Sequence, residues 1–303
     1  MSEAPSTTPV CYRHPSRETY VHCTRCERPI CPDCMREAAV GHQCPECVAE
    51  GKRTQRPART AFGGSRVGQA AYATRILIAV NVAVGVISAI TGGAKAIGGS
   101  GGLMGLMGGQ TPVTRWFEVI GYASYTPGGA AHGVAAGEWW RLVTAMFVHY
   151  GLVHLLLNMV LLWQLGRYLE THLGPVRFIG LYLLAGLGGN VACYVFTAPN
   201  QPSAGASTAV FGLVAAMFIV NRRLRLDISA LIPLLVINLL FTFTVRNISV
   251  AGHLGGLVTG AVVAVILAYA PRARRTLIQA TGCAVVFVFL LAVTFVRTQV
   301  ILG

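Results

Sequence analysis

The chain has 303 residues, of which 54% are hydrophobic and only 12% are charged, and its formal net charge is +13. Soluble globular domains carry about 25% charged residues, so this composition argues against an ordinary soluble protein. The positive charge is not interpreted as a nucleic-acid-binding signal, because excess Lys and Arg mark the cytoplasmic loops of membrane proteins. Residues 1–10 have neither the basic start nor the apolar run of a signal peptide.

The N-terminal segment 1–50 is polar and holds seven of the nine cysteines. Its ligand-type residues form four pairs, each with a gap of two residues: Cys11 and His14, Cys23 and Cys26, Cys31 and Cys34, Cys44 and Cys47. A gap of two lets both side chains bind one ion, and four ligands close a structural zinc site. We predict two zinc ions, with the first and third pairs on one and the second and fourth on the other. His22 and His42 are spare ligands, and His42 could replace Cys44.

The alternative for this segment is a disulfide knot, which the reducing cytoplasm disfavours. The pattern resembles the B-box type of zinc finger over about residues 11–47. It departs at its end, where Cys44 and Cys47 stand in place of the usual His pair. Such domains mostly bind proteins, so the resemblance implies a cytoplasmic protein partner and a structural role for the metal.

Residues 51–72 form a basic linker, which we interpret as a flexible connector near the membrane. Beyond it, seven apolar stretches approach the length of about 20 helical residues that crosses a bilayer. In lipid only a helix satisfies every backbone polar group within one segment, so all seven are predicted to be helical. The predicted spans are 76–93, 142–165, 178–197, 205–221, 228–245, 248–270 and 277–296.

Basic residues concentrate in alternate loops between these spans. This asymmetry predicts a multi-pass protein of the cell membrane with its N-terminus in the cytoplasm and its C-terminus outside. The architecture suggests a bacterial inner membrane. In this orientation the second, fourth and sixth spans all run from the outside inward.

Four polar residues inside these spans mark a functional site, because polar groups in a membrane are costly. Ser207 is a candidate nucleophile and His253 its general base. His154 and Asn158 share one helix face and can donate hydrogen bonds to a developing oxyanion. The spans that carry Ser207 and His253 contain no Asp or Glu, so we predict a Ser-His dyad. All four residues lie in the outer part of their helices.

These residues lie in four motifs that resemble those of rhomboid intramembrane proteases over about residues 75–270. The motifs are Trp140-Arg141, His154-x-x-x-Asn158, Gly205-Ala206-Ser207-Thr208-Ala209-Val210-Phe211-Gly212 and Gly252-His253-Leu254-Gly255-Gly256-x-x-x-Gly260. The sequence departs at Thr208, where the family usually has glycine. The resemblance implies an all-α polytopic membrane protein with a six-helix core in 73–270 and an additional seventh transmembrane helix in 271–303. It also implies a cofactor-independent protease that cuts single-span membrane proteins near the outer face.

Two other classes of function compete with this reading. One is an inactive rhomboid-like protein that binds transmembrane partners, which Thr208 favours. The other is a transporter or channel, which usually shows paired internal repeats that this sequence lacks.

Hydrolysis requires water, so we expect a polar cavity bounded by the second, fourth and sixth spans and open to the outside. Segments 198–204 and 246–250 would partly cover it and could move as a cap. The segment 94–141 is expected against the outer leaflet, with its tryptophans at the interface: Trp116, Trp139 and Trp140. We interpret Glu138 and Glu170 as loop residues, with Arg141 or Arg167 as the partner of Glu170. Cys193 and Cys283 are interpreted as buried apolar residues. Asn190 and Asn238 are interpreted as residues that form hydrogen bonds between helices.

Overall fold

The structure, a computed structural model, describes residues 8–55, 58–65, 71–97, 108–124, 126, 128–229, 231–244 and 249–303. The chain forms two compact units, Met1–Ala58 and Arg59–Gly303. We call them the cysteine unit and the membrane unit.

The cysteine unit has little regular secondary structure. A two-residue antiparallel hairpin joins β1 (Arg36–Glu37) to β2 (His42–Gln43), and one helix follows, α1 (Pro45–Thr54). The buried core of this unit consists of cysteine side chains and Ile30. Such a core buries too little apolar surface to hold a small domain without a further link such as a metal.

The membrane unit is almost entirely helical. Its helices are α2 (Tyr72–Gly92), α3 (Ala94–Ile97), α4 (Pro112–Phe117), α5 (Arg141–Thr144), α6 (Leu152–Leu173), α7 (Pro175–Phe196), α8 (Ser207–Leu224), α9 (Leu231–Thr244), α10 (Val250–Tyr269) and α11 (Arg275–Leu302). In the described part of the chain, six of them are long and apolar enough to cross a bilayer, and α9 is a shorter apolar helix. The prediction of an all-α polytopic membrane protein is therefore confirmed.

The second predicted span has the wrong boundaries. It was placed at 142–165, but α6 covers Leu152–Leu173, and α5 is a separate short helix before it. Gly151 explains the difference: its φ of 82° lies in the left-handed region that only glycine adopts readily. The apolar run continues across this break, so composition alone could not show it.

The core of the membrane unit is the contact between α7, α8 and α10. A Cβ atom added to Gly256 of α10 would lie 1.9 Å from the backbone oxygen of Thr208. One added to Gly260 would lie 2.3 Å from the Cα atom of Gly212 on α8. Both distances are far below van der Waals contact. Because glycine has no side chain, the two backbones are in direct contact, as they are at small residues between other membrane helices.

Glu170 is not the loop residue that the sequence analysis predicted. It is a buried residue of α6, and its carboxylate accepts hydrogen bonds from the backbone N–H groups of Ala73 and Thr74, both at 2.9 Å. The Thr74 hydroxyl donates a third bond at 2.8 Å. These amides belong to the first turn of α2, where N–H groups lack partners inside the helix and the helix dipole favours negative charge. Glu170 therefore caps α2, and the predicted pair with Arg141 or Arg167 is wrong.

The predicted flexible linker also differs from the structure in its second half. Residues 59–65 form a turn of the membrane unit, and Phe62 is buried in its hydrophobic core. The Gln279 side chain donates hydrogen bonds to the carbonyl oxygens of Phe62 at 3.2 Å and Leu267 at 2.7 Å. A single large apolar residue thus fixes a segment whose overall composition is that of a linker.

We expect Glu170→Ala to destabilise the membrane unit by about 2–4 kcal/mol, because it leaves buried amides of α2 without an acceptor. Glu170→Gln keeps one acceptor oxygen and should cost less. Asp227→Ala is the matched control, since Asp227 is exposed and, among the described residues, its carboxylate accepts hydrogen bonds from the nearby Ser229 alone. The free energy of unfolding in detergent micelles is measured for all three variants. Equal stability of Glu170→Ala and Asp227→Ala would refute the capping role.

Candidate active site and metal-binding clusters

Ser207 is the first residue of α8, and the two residues before it are held from outside the helix. Gly205 has a φ of 133°, a conformation in which only glycine is unstrained. Its N–H group donates to the Ala145 carbonyl at 2.9 Å. The N–H group of Ala206 donates to Nε2 of His149 at 3.2 Å. These contacts fix the backbone that presents the Ser207 side chain.

The structure brings Ser207 and His253 together. Oγ of Ser207 lies 2.8 Å from Nε2 of His253. His253 is in the first turn of α10, which begins at a cap where the Ser249 hydroxyl accepts from the Gly252 N–H at 3.0 Å. A hydroxyl at hydrogen-bond distance from an imidazole nitrogen is the geometry of a nucleophile and its base.

Two further residues contact the imidazole, and the sequence analysis missed both. The ring of Phe211 stacks on that of His253, with centroids 4.2 Å apart and planes inclined by 17°. At the ring nitrogen that does not contact Ser207, Oγ1 of Thr242 on α9 lies 2.7 Å from Nδ1 of His253. Phe211 lies one helical turn after Ser207, so its position was accessible from the sequence. Thr242 is a polar residue in an apolar helix, which is the signal that could have pointed to it.

His154 also lies beside the serine. A Cβ atom added to Gly205 would be 2.8 Å from Nε2 of His154 and 3.4 Å from Oγ of Ser207. Asn158 follows one turn later on α6, buried, and its side-chain amide donates to the His154 carbonyl at 2.9 Å. The structure thus places the His154 ring near the serine and Asn158 one turn further along the same helix.

Thr208, the departure from the family motif, points away from the serine into the contact between helices. Its side chain occupies space left by two glycines. A Cβ atom on Gly189 of α7 would lie 2.6 Å from Cβ of Thr208, and one on Gly252 would lie 3.2 Å from its Cγ2. The shape of the β-branched side chain is therefore accommodated, although its buried hydroxyl has no hydrogen-bond partner among the described residues, and the backbone of the first turn of α8 stays helical.

The loop before Ser207 is fastened to the segment that follows α4. Val119 and Ser203 exchange two backbone hydrogen bonds of 2.9 Å, and the Pro199 carbonyl accepts from Gly121 and Tyr122, each at 2.8 Å. Movement of residues 198–204 as a cap would have to break these bonds. Of the other predicted cap segment, residues 246–248 lie outside the described residues.

Arg141 holds the segment after α4 in place. Its guanidinium group is buried and donates to the Glu138 carboxylate at 2.6 Å and to the carbonyl oxygens of Arg115 and Glu118 at 2.7 and 3.0 Å. Burial opposes ionisation of Glu138, but hydrogen bonds from His132, the Gly133 amide and Arg141 hold its pKa below the usual value. Arg141 is therefore a structural residue that organises the segment after α4.

Burial shifts the pKa of two other ionisable groups near this segment. Burial raises the pKa of Glu118 to about 7, although Tyr150 and Gln110 donate hydrogen bonds to its carboxylate. Burial, together with the neighbouring His154, keeps the pKa of His149 well below its usual value. A neutral His149 has the lone pair on Nε2 that accepts from Ala206.

One cavity of about 730 Å³ lies beside this segment, and neither Ser207 nor His253 is among the residues that line it. The residues that line it are Thr91, Gly92, Ala94, Gln110, Thr111, Pro112, Arg115, Trp116, His132 and Arg141.

In the cysteine unit the eight predicted ligands form two groups. Cys11, His14, Cys31 and Cys34 make one, Cys23, Cys26, Cys44 and Cys47 make the other, and the ligand atoms of each group lie within 4.8 Å of one another. This is the interleaved arrangement that the spacing predicts. His42 lies in β2, outside both groups, and the ring of His22 bonds to the Tyr20 carbonyl.

Both groups fit a structural zinc ion. Nδ1 of His14 lies 3.2 and 3.4 Å from the sulfur atoms of Cys31 and Cys34, and the sulfurs of Cys26 and Cys44 are 3.8 Å apart. Distances of this order separate ligands arranged around one tetrahedral ion. The sulfur of Cys44 also accepts from the Cys47 N–H at 3.4 Å, a contact that suits a metal-bound thiolate.

Comparison with known proteins identifies the membrane unit. The family model of the Rhomboid domain matches residues 136–270. The putative rhomboid protease YdcA of Bacillus subtilis (strain 168) is 38% identical over 133 residues, which are 42% of this chain and 67% of that relative. The chain belongs to the rhomboid family.

Two other relatives show how far the likeness extends. Rhomboid protease GluP of Bacillus subtilis (strain 168) is 44% identical over 132 residues, 42% of this chain but only 26% of GluP. Inactive RHOMBOID-like protein 8 of Arabidopsis thaliana is 39% identical over 80 residues, 26% of this chain and 22% of that protein. The rhomboid match includes Ser207 and His253, whereas the cysteine unit and α11 lie outside it.

We expect Gly256→Ala to reduce any activity of this rhomboid chain by at least about 100-fold, because the added methyl group separates α8 from α10 and with them Ser207 from His253. Gly180→Ala is the matched control: Gly180 lies on α7, and an added Cβ atom there meets nothing within 4 Å. Cleavage assays on both purified variants measure the effect. Full activity of Gly256→Ala would contradict the close packing.

Proposed function

We propose that the chain is an intramembrane serine endopeptidase in which Ser207 is the nucleophile and His253 the general base. The observation that carries the proposal is the 2.8 Å hydrogen bond between Oγ of Ser207 and Nε2 of His253. These residues are 46 positions apart and lie on different helices. The two polar side chains meet within otherwise apolar helices. This supports a functional role, because burying polar groups in a membrane has a free-energy cost.

The chemistry follows from these two groups. As Oγ attacks the scissile carbonyl, Nε2 of His253 accepts the hydroxyl proton, and it then donates this proton to the leaving amine. The acyl-enzyme forms, and a water molecule that His253 deprotonates hydrolyses it. No cofactor takes part in either step.

Three donors are candidates for the oxyanion of the tetrahedral intermediate. The His154 ring is beside Ser207, and Asn158 has a second amide N–H besides the one bonded to the His154 carbonyl. The backbone N–H of Ser207 begins α8, where amides lack partners within the helix. Preorganised donors of this kind are worth about 3–4 kcal/mol each in acyl transfer.

The substrate class is inferred from the family, and the orientation in the membrane is inferred from the distribution of charged residues. We propose that the substrates are single-span membrane proteins cut near the outer membrane face. The N-terminus would be cytoplasmic and the C-terminus outside, on the distribution of Lys and Arg among the loops. Water would reach Ser207 through a cavity bounded by α6, α8 and α10.

An inactive protein that binds transmembrane partners is the second candidate. The similarity to a relative named as inactive favours it. Thr208 gives it less support than the sequence suggests, because its side chain fills space left by Gly189 and Gly252.

Ser207→Ala separates the two candidates. We expect this variant to fold and insert normally and to lose cleavage of a reconstituted transmembrane substrate by at least about 10⁴-fold, as loss of a serine nucleophile does. Ser229→Ala serves as the control, since Ser229 lies between α8 and α9 and, within the part of the chain that the structure describes, bonds only to Asp227. Cleavage by the Ser207→Ala protein at the normal rate would exclude the mechanism.

We also propose that the cysteine unit is a structural zinc domain that binds a cytoplasmic protein. Its two four-ligand groups leave no open coordination position, so the metal would stabilise the fold without taking part in chemistry.

Elemental analysis of the full chain should give about two zinc ions per molecule, on the rule of four ligands per ion. We expect Cys34→Ser and Cys47→Ser each to lose one ion, Cys283→Ser to keep both, and the double variant Cys34→Ser, Cys47→Ser to keep the wild-type kcat. Zinc near zero in a reduced wild-type sample would rule out the metal domain.

A further inference from the structure

The hydrogen bond between Thr242 and His253 assigns a role to a residue on a third helix. We propose that Thr242 is a positioning residue, which holds His253 in the one neutral tautomer that can accept the proton of Ser207. This inference rests on the proposed function and extends the predicted dyad by a neutral third member.

The direction of the bond follows from the contacts of the threonine hydroxyl. Oγ1 of Thr242 lies 2.8 Å from the carbonyl oxygen of Asn238 and 2.7 Å from Nδ1 of His253. Both contacts can be hydrogen bonds at once only if the single hydroxyl proton goes to Asn238, because a carbonyl oxygen can only accept. Toward His253 the hydroxyl can then only accept. Nδ1 must therefore be the nitrogen that bears the hydrogen.

This tautomer is the reactive one. A neutral imidazole with hydrogen on Nδ1 has its lone pair on Nε2, the nitrogen 2.8 Å from Oγ of Ser207. In the other tautomer, Nε2 bears the hydrogen and cannot accept the serine proton. Nδ1 would then need a donor, and Thr242 could supply one only by giving up its bond to Asn238.

The burial of Thr242 supports a specific contact. α9 exposes most of its described side chains, yet Thr242 is only 1% exposed. The stacked ring of Phe211 fixes the face of the imidazole, while Thr242 fixes its edge. A carboxylate at this position would be a buried charge at membrane depth, which is costly. A hydroxyl can orient the ring without that cost.

The test separates the hydroxyl group of Thr242 from the shape of its side chain. Thr242→Val keeps the shape of the side chain and removes the acceptor, whereas Thr242→Ser keeps the acceptor. We expect Thr242→Val to lower kcat roughly 10- to 100-fold with KM changed less than about twofold, since general-base catalysis is worth about 10²–10⁴-fold. Thr242→Ser should stay within about threefold of wild type. Thr281→Val, which removes an exposed hydroxyl that donates to the Leu277 carbonyl within α11, should match wild type.

A second readout reports the tautomer directly. In the ¹⁵N spectrum of histidine-labelled protein, the His253 signals, assigned by their absence from His253→Ala, should be those of an imidazole with hydrogen on Nδ1. Thr242→Val should shift them toward the other tautomer. If Thr242→Val does not fold in an unfolding assay, Thr242→Ala takes its place against Thr242→Ser.

Three results would overturn the assignment. They are a wild-type kcat for Thr242→Val, a Thr242→Ser variant as impaired as Thr242→Val, and a wild-type spectrum with hydrogen on Nε2. Failure of the proposed function looks different, because Ser207→Ala would then match wild type whatever the Thr242 variants do.

Discussion

The approach of α8 to α10 is the constraint on which the rest of the membrane unit depends. Ser207 and His253 each lie in the first turn of one of these helices, and their side chains meet only because the backbones behind them are in contact at Gly256 and Gly260. In lipid there is no hydrophobic force to drive helices together, so packing of this closeness and internal hydrogen bonds must supply the attraction. The glycines therefore serve both the fold and the site.

A common rule applies to three ionisable groups of the membrane unit: each is buried where the protein itself supplies its partner. The Glu170 carboxylate accepts from the first turn of α2, and the Arg141 guanidinium donates to carbonyl oxygens and to Glu138. His253 bonds on both nitrogens. Such partners matter most where water is excluded, since an unpaired buried polar group costs several kcal/mol. The same rule makes a neutral Thr242 a suitable neighbour for the imidazole.

The sequence predicted those features that depend on composition and local spacing. Apolar length located the membrane helices, and the gap of two residues between ligands predicted the two groups of the cysteine unit. Features that depend on a single residue or on distant contacts were missed. Gly151 interrupts an apolar run, Phe62 fixes a linker-like segment in the core, and Glu170 reaches a helix almost a hundred positions away. None of these leaves a periodic signal.

The candidate site also contains residues that the sequence identified and a residue that it did not. Ser207, His253 and His154 were identified as polar residues in apolar spans, and the structure brings them together. Thr242 has the same signature, but the signal is weaker, because a threonine in a helix usually bonds to the carbonyl four residues earlier, as it also does here. Only the tertiary contact distinguishes it.

The central claim is that Ser207 is activated by His253, and covalent labelling tests it most directly. A fluorophosphonate reacts only with an activated serine, and mass spectrometry of the labelled chain locates the adduct. Our account predicts one adduct per chain, on Ser207, that disappears in His253→Ala. An adduct on another serine, or labelling of Ser207 that persists without His253, would contradict it.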